Sequence, residues 1–219
     1  MATLLTSAID ILNAYNECLG LENIDTQTSY ILKDSEEGLV ISNVPHELYE
    51  KKLKKYNGTD YLNAVNEKIA NLIKKNIDYF QKSNGQNVFN LNKCFENSTI
   101  IFDSLKLINE SENGIHEGVK IAYGFVSRKI PINTDFNNKI ISRDNIFIHD
   151  WHVWNYINNF IVDVTLLKNG PVIEIHKKVE WGAADDHVFL TTPENTNYYG
   201  IEFENYDEFV KDFRKTFKV

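Results

Sequence analysis

Ile148-His-Asp-Trp-His-Val-Trp-Asn-Tyr-Ile157, then Asn158-Asn159, then Phe160-Ile-Val-Asp-Val-Thr165 is the stretch on which the fold turns. Apolar and polar residues alternate on both sides of the Asn pair, and asparagine tolerates the positive φ that two-residue hairpin turns require. The stretch therefore predicts an antiparallel hairpin with Ile157 opposite Phe160. That register sets Trp154 opposite Asp163 and His152 opposite Thr165. His152 and Asp163 then become same-face diagonal neighbours, roughly 6–8 Å apart at Cβ. His149 has the other parity and points to the opposite face.

Downstream of Gly118 the apolar period is near two. Val119 to Val126, Ile146 to Ile157, Phe160 to Leu167 and Val172 to Trp181 read as strands. Upstream the period is mostly helical. Leu5, Ile9, Leu12, Tyr15 and Leu19 define one helix, capped by Thr6 or Ser7 and stopped at Gly20. Two short apolar runs between Tyr30 and Val44, parted by Asp34-Ser-Glu-Glu-Gly38, predict a hairpin. Pro45 suits the first turn of a short helix through Tyr56. Thr59 caps a strongly amphipathic helix carrying Leu62, Val65, Ile69, Leu72, Ile73, Ile77 and Phe80. An Asn-rich loop from Gln86 to Asn92 then delivers the chain to a helix with Cys94, Ile101, Leu105 and Ile108 on one face, Asn92 being its expected N-cap. Asn205, with Glu208 three residues on, opens a last helix bearing Phe209, Phe213 and Phe217.

Helices first and an antiparallel sheet afterwards predict an α+β fold, with N-terminal helices packed on a C-terminal sheet. No repeat or linker divides the chain, so residues 1–219 read as one domain, 1–85 mainly helical and 118–181 mainly strand. The composition agrees: 219 residues, 42% hydrophobic, 25% charged, with only 10 Gly and 4 Pro. A chain of that length buries about 70% of its unfolded surface and needs no disulfide framework. Its formal charge of −8 repels phosphate backbones and anionic membranes. With no apolar run of about 20 residues and no signal-peptide core, a cytoplasmic protein that binds neither nucleic acid nor membrane is expected.

Cys94 is the first chemical candidate. In the opening turn of a helix, free N–H groups and the positive end of the dipole favour a thiolate. The bland reading, a small buried apolar residue, suits Cys18. His152 and Asp163 are the second. A carboxylate on one imidazole nitrogen orients the ring and favours the imidazolium formed when the other nitrogen takes a proton from a nucleophile. A surface His–Asp pair is the plain alternative. Amides of Gln86, Asn87, Asn90 or Asn92 are candidates to complete an oxyanion hole with the backbone N–H of Cys94. Trp154 and Tyr199 are candidate cleft walls, whereas Trp151 is expected in the core.

A cysteine opening a helix, then His152-Val-Trp154, then Asp163-Val-Thr165 resembles the transglutaminase-like branch of the papain-like cysteine superfamily, whose pattern is Cys, His-Ala-Trp, Asp-Pro-Thr. Cys94-Phe-Glu96 is also similar to the Cys-Phe-Glu motif of arylamine N-acetyltransferases, with Asn90-Leu-Asn-Lys93 in place of their Arg-Gly-Gly lead-in. The resemblance spans residues 90–166. It implies a papain-like core, a Cys94–His152–Asp163 triad, a thioester mechanism and no metal or other cofactor.

The sequence thus predicts a cysteine-dependent hydrolase or acyltransferase acting on an amide or related acyl compound, small molecule or peptide. Two other readings stand beside it. One is a non-catalytic module that holds a peptide or small ligand in the same cleft. The other is a metal-dependent hydrolase using His149, Asp150, His152, Asp163, Asp185, Asp186 and His187, although their spacing fits no metal motif.

Overall fold

The computed structural model describes residues 3–18, 31–36, 38–56, 94–111, 118–130, 132–133, 135–136, 138–157, 160–163, 171–172, 180–181 and 196–219. In chain order the helices are α1 (Ala8–Cys18), α2 (His46–Tyr49), α3 (Cys94–Ser111) and α4 (Tyr206–Phe217). The strands begin with β1 (Thr3–Leu5), β2 (Ile31–Ser35), β3 (Gly38–Ser42), β4 (Lys54–Tyr56), β5 (Lys120–Ile130), β6 (Asp135–Phe136) and β7 (Lys139–Ile141). They continue with β8 (Ile146–Ile157), β9 (Phe160–Val162), β10 (Pro171–Val172), β11 (Glu180–Trp181) and β12 (Thr196–Phe203). The helix expected over Leu62 to Phe80 and the Gln86 to Asn92 loop lie outside the described residues.

Local chemistry accounts for several boundaries. Ser7 Oγ accepts the Asp10 N–H at 3.1 Å and caps α1. Asn205 Oδ1 accepts from the Asp207 and Glu208 N–H groups at 2.8 and 3.1 Å and caps α4, a contact worth about 1 kcal/mol. The long hairpin has the anticipated register, with Ile157 opposite Phe160 and Asn155 opposite Val162. The Tyr30–Val44 hairpin is β2–β3, paired from Ile31↔Ser42 to Ser35↔Gly38.

Other expectations are corrected. The short helix after Pro45 ends at Tyr49, and Lys54–Tyr56 is a strand paired antiparallel with β12. Pairing there buries Tyr56 against Trp154 at 5.5 Å between ring centroids, and that tertiary gain overrides the helical propensity of the Lys-rich segment. Val172 to Trp181 is no single strand: Pro171 pairs with Trp181 and Val172 with Glu180, whereas the ends of one ten-residue strand would stand about 30 Å apart. The strand opening the C-terminal half runs on to Ile130. Nor is strand confined to that half or purely antiparallel. β3 joins β8 in parallel, and β1, which no alternation of three residues could announce, pairs in parallel with β7.

The result is a mixed α+β fold. Among the described residues the main sheet has seven strands in the order β2-β3-β8-β5-β12-β4, with β9 also on β8. β5 and β8 pair without a break from Lys120↔Tyr156 to Ile130↔Ile146, so no bulge disturbs the parity of β8. One face, bearing Tyr123, Phe125 and Val153, packs on α3 and α4 through Ile101, Phe102, Leu105, Phe209 and Phe213. Each such aromatic or aliphatic side chain contributes about 1.5–3 kcal/mol by leaving water. On the opposite face, Ile146 and Ile148 pack with Ile11 and Ala14 of α1, and Trp154 packs with Tyr56, Ala122, Val126, Ile161 and Tyr198. No helix among the described residues is long and apolar enough to cross a membrane.

Candidate functional site

The site forms where one edge of β8 changes partners. β3 accompanies β8 only as far as Ser42↔His149, and β9 begins at Asn155↔Val162. Between them the edge is satisfied by other groups. The Asn43 N–H donates to the His149 carbonyl at 3.1 Å, and Asn43 Oδ1 accepts the Trp151 N–H at 2.9 Å. Ser98 Oγ, one turn into α3, donates to the Val153 carbonyl at 2.9 Å. The start of α3 is thereby fastened to β8 within one residue of His152, with Cys94 as the first residue of that helix.

His152 and Asp163 meet as the hairpin register requires. Their side chains are buried, and Nε2 lies 2.7 Å from Asp163 Oδ2. An ionised carboxylate only accepts, so Nε2–H is the donor. Nδ1 is left as the ring's other nitrogen, and the Cys94 thiol lies near enough to the ring to act on its titration. Burial opposes a charged ring, but the Asp163 charge and hydrogen bond, followed by Cys94, outweigh it and hold the His152 pKa above its ordinary value. Cys94 itself is a buried free cysteine. Thiol, imidazole and carboxylate are thus neighbours, a set of groups with the chemistry that thiol-based acyl transfer requires.

Tyr198 joins them, in a place that no local sequence pattern announces. Its hydroxyl donates to the same Asp163 Oδ2 at 2.8 Å. Burial and then the Asp163 charge push the Tyr198 pKa up, so the hydroxyl stays protonated and donating. Tyr199, proposed as a cleft wall, has the opposite parity: it pairs with Phe125 and stacks on that ring at 4.9 Å, on the face away from His152. Trp154 is on the His152 face but fully buried, its ring 15° from parallel with the imidazole at 6.2 Å. It packs beneath the base instead of facing solvent. Trp151 is half-buried against Phe213 and Phe217. The oxyanion candidates Gln86, Asn87, Asn90 and Asn92 lie outside the described residues.

His149 points to the other side, as its parity demands. It stacks on Phe125 at 4.9 Å and shares a hydrogen bond between Nδ1 and the Tyr49 hydroxyl at 2.8 Å. The residues named for a metal site are accordingly divided across the sheet, and Asp185, Asp186 and His187 lie outside the described residues. Among the described residues, no group of three or more His, Cys, Asp or Glu side chains is placed to hold an ion.

Burial lowers the His149 pKa from 6.5 to about 4. Its folded value lies below its unfolded one, so the stability associated with the neutral ring is complete above about pH 6.5 and is lost as pH falls toward 4. His149→Gln removes that titration while keeping a side chain able to hydrogen-bond the Tyr49 hydroxyl. The urea midpoint of the wild type is expected to drop more between pH 7 and pH 5 than that of the variant; equal drops would contradict this reading.

Comparison with known proteins adds no relative: no family model matches the sequence, and no curated protein or solved structure matches it.

Proposed function

We propose that this protein is a cysteine-dependent hydrolase or acyltransferase with a transglutaminase-like, papain-like core, acting on an amide or related acyl substrate through a thioester. The observation that carries the proposal is the His152 ring held between the Asp163 carboxylate, at 2.7 Å, and the Cys94 thiol at the start of α3.

The chemistry follows from the geometry. Nδ1 of His152 takes the proton of Cys94, and the sulfur attacks the acyl carbon, moving the carbonyl π pair onto oxygen. First-turn N–H groups of α3 have no intrahelical partners, and the one on Cys94 is suited to that oxyanion. As the C–N bond breaks, the imidazolium returns its proton to the leaving amine. Water or an amine then adds to the thioester, giving its proton to Nδ1, and collapse expels the Cys94 thiolate. Asp163 keeps Nε2–H in place throughout.

Iodoacetamide at neutral pH tests the nucleophile. Cys94 is expected to alkylate at least about tenfold faster than Cys18, because a neighbouring base and a helix start activate it. Cys94→Ala is expected to abolish turnover of a chromogenic acyl ester and leave its binding intact. Equal, slow labelling of both thiols would refute activation, and binding without turnover in the wild type would instead indicate a ligand-holding module.

A further inference from the structure

We infer that Tyr198 is a positioning residue of this site, its hydroxyl fixing the Asp163 carboxylate so that the His152 ring stays aligned with Cys94. The inference rests on the cysteine-enzyme reading and extends it to a residue on a strand that carries none of the three reacting groups.

Strand order makes the contact demanding. Asp163 follows β9, Tyr198 lies on β12, and both β8 and β5 run between them. The hydroxyl nevertheless reaches Asp163 Oδ2 at 2.8 Å. Small residues on β5 leave the space: Ala122 pairs with Trp154, and Gly124 pairs with His152 on one side and with Gly200 on the other. At Gly200 a Cβ would sit 2.4 Å from Cη2 of Trp154, so the indole occupies that hollow. Tyr198 packs edge-on to the indole, with centroids 5.1 Å apart and planes at 72°.

Packing alone would be satisfied by phenylalanine, since the apolar ring supplies the Tyr56, Trp154 and Ala122 contacts. The hydroxyl adds something different. A donor from another strand, converging on the oxygen that accepts from His152, restrains the carboxylate plane and with it the direction of Nε2–H. Tyr198 touches neither sulfur nor substrate; it acts through Asp163.

The test uses the full chain with Tyr198→Phe, following both the solvent exchange of the His152 Nε2–H proton by NMR and the rate of Cys94 alkylation. Exchange is expected to quicken about tenfold and alkylation to slow about tenfold, corresponding to one lost hydrogen bond to a charged group. In an Asp163→Asn background the same change should alter the alkylation rate by less than about twofold, because the two residues act as one unit. Equal effects in both backgrounds would show a merely structural tyrosine and overturn the inference. Tyr198→4-aminophenylalanine restores a donor of similar shape and is expected to recover most of the rate; no recovery would count against the hydroxyl. Should Tyr198→Phe not fold, 3-fluorotyrosine at this position, a stronger donor of the same shape, decides the matter: a changed Nε2–H exchange and alkylation rate supports the inference, and rates identical with wild type overturn it. If instead wild-type Cys94 alkylates no faster than in His152→Gln, the cysteine-enzyme reading itself fails. A preserved wild-type advantage with Tyr198→Phe unchanged removes only Tyr198.

Discussion

His152→Gln is expected to slow alkylation of Cys94 on the order of 100-fold at pH 7 and to reduce turnover at least as much, in the range that removal of a general base produces. Glutamine is the informative substitution. Alanine would leave Asp163 buried beside a void, and breaking a buried ion pair in that way destabilises by about 3–5 kcal/mol. The glutamine amide can still donate to the carboxylate, but it has no nitrogen that accepts the thiol proton. Unfolding in urea separates the effects: a near-normal midpoint with a lost rate assigns the defect to chemistry. An unchanged rate would mean that His152 does not activate the cysteine, however close the two lie.

The second large effect is structural. Gly124→Ala is expected to remove more than about 4 kcal/mol of folding stability, a loss that few single substitutions reach. Its Cβ would stand 1.8 Å from the Tyr199 carbonyl oxygen and 2.5 Å from the Gly200 Cα. Both are backbone atoms of the adjacent strand, so no rotamer change relieves the clash. The β5–β12 pairing must open where Gly124 faces Gly200, and Tyr198 would be drawn away from Asp163 with it. Since domains are typically stable by only about 5–15 kcal/mol, the variant should be largely unfolded by circular dichroism. A stable, cooperatively melting Gly124→Ala protein would contradict the close approach of these strands.

What the sequence reveals of this arrangement depends on how far apart the interacting residues are along the chain. The alternation on either side of the Asn pair announces the Ile157↔Phe160 pairing within one hairpin, and the His152–Asp163 contact follows by counting in twos. The same count divides His149 from His152. Local signals also disclose the helix start at Cys94 and the Asn205 cap. Nothing local distinguishes Tyr198 from Tyr199, however, because β12 acquires its parity from its alignment with β5, about 75 residues upstream. For the same reason Lys54–Tyr56 reads as helix until the exposed edge of β12 is known. Three-residue β1 and the parallel β3–β8 pair are likewise set by tertiary contact. Ser98 and Asn43 look like ordinary polar residues until the gap along the β8 edge assigns each a backbone group to satisfy.

The central claim is spatial: the Cys94 sulfur and a ring nitrogen of His152 converge, with Asp163 behind the ring. A bifunctional alkylating agent, 1,3-dibromoacetone, reports this directly, because its first carbon is captured by a reactive thiol and its second links to the nearest nucleophile. Peptide mapping of the treated wild-type chain is predicted to find Cys94 joined to His152, with no such link in His152→Gln. Single alkylation of Cys94 without a cross-link, or a link to some other residue, would contradict the account.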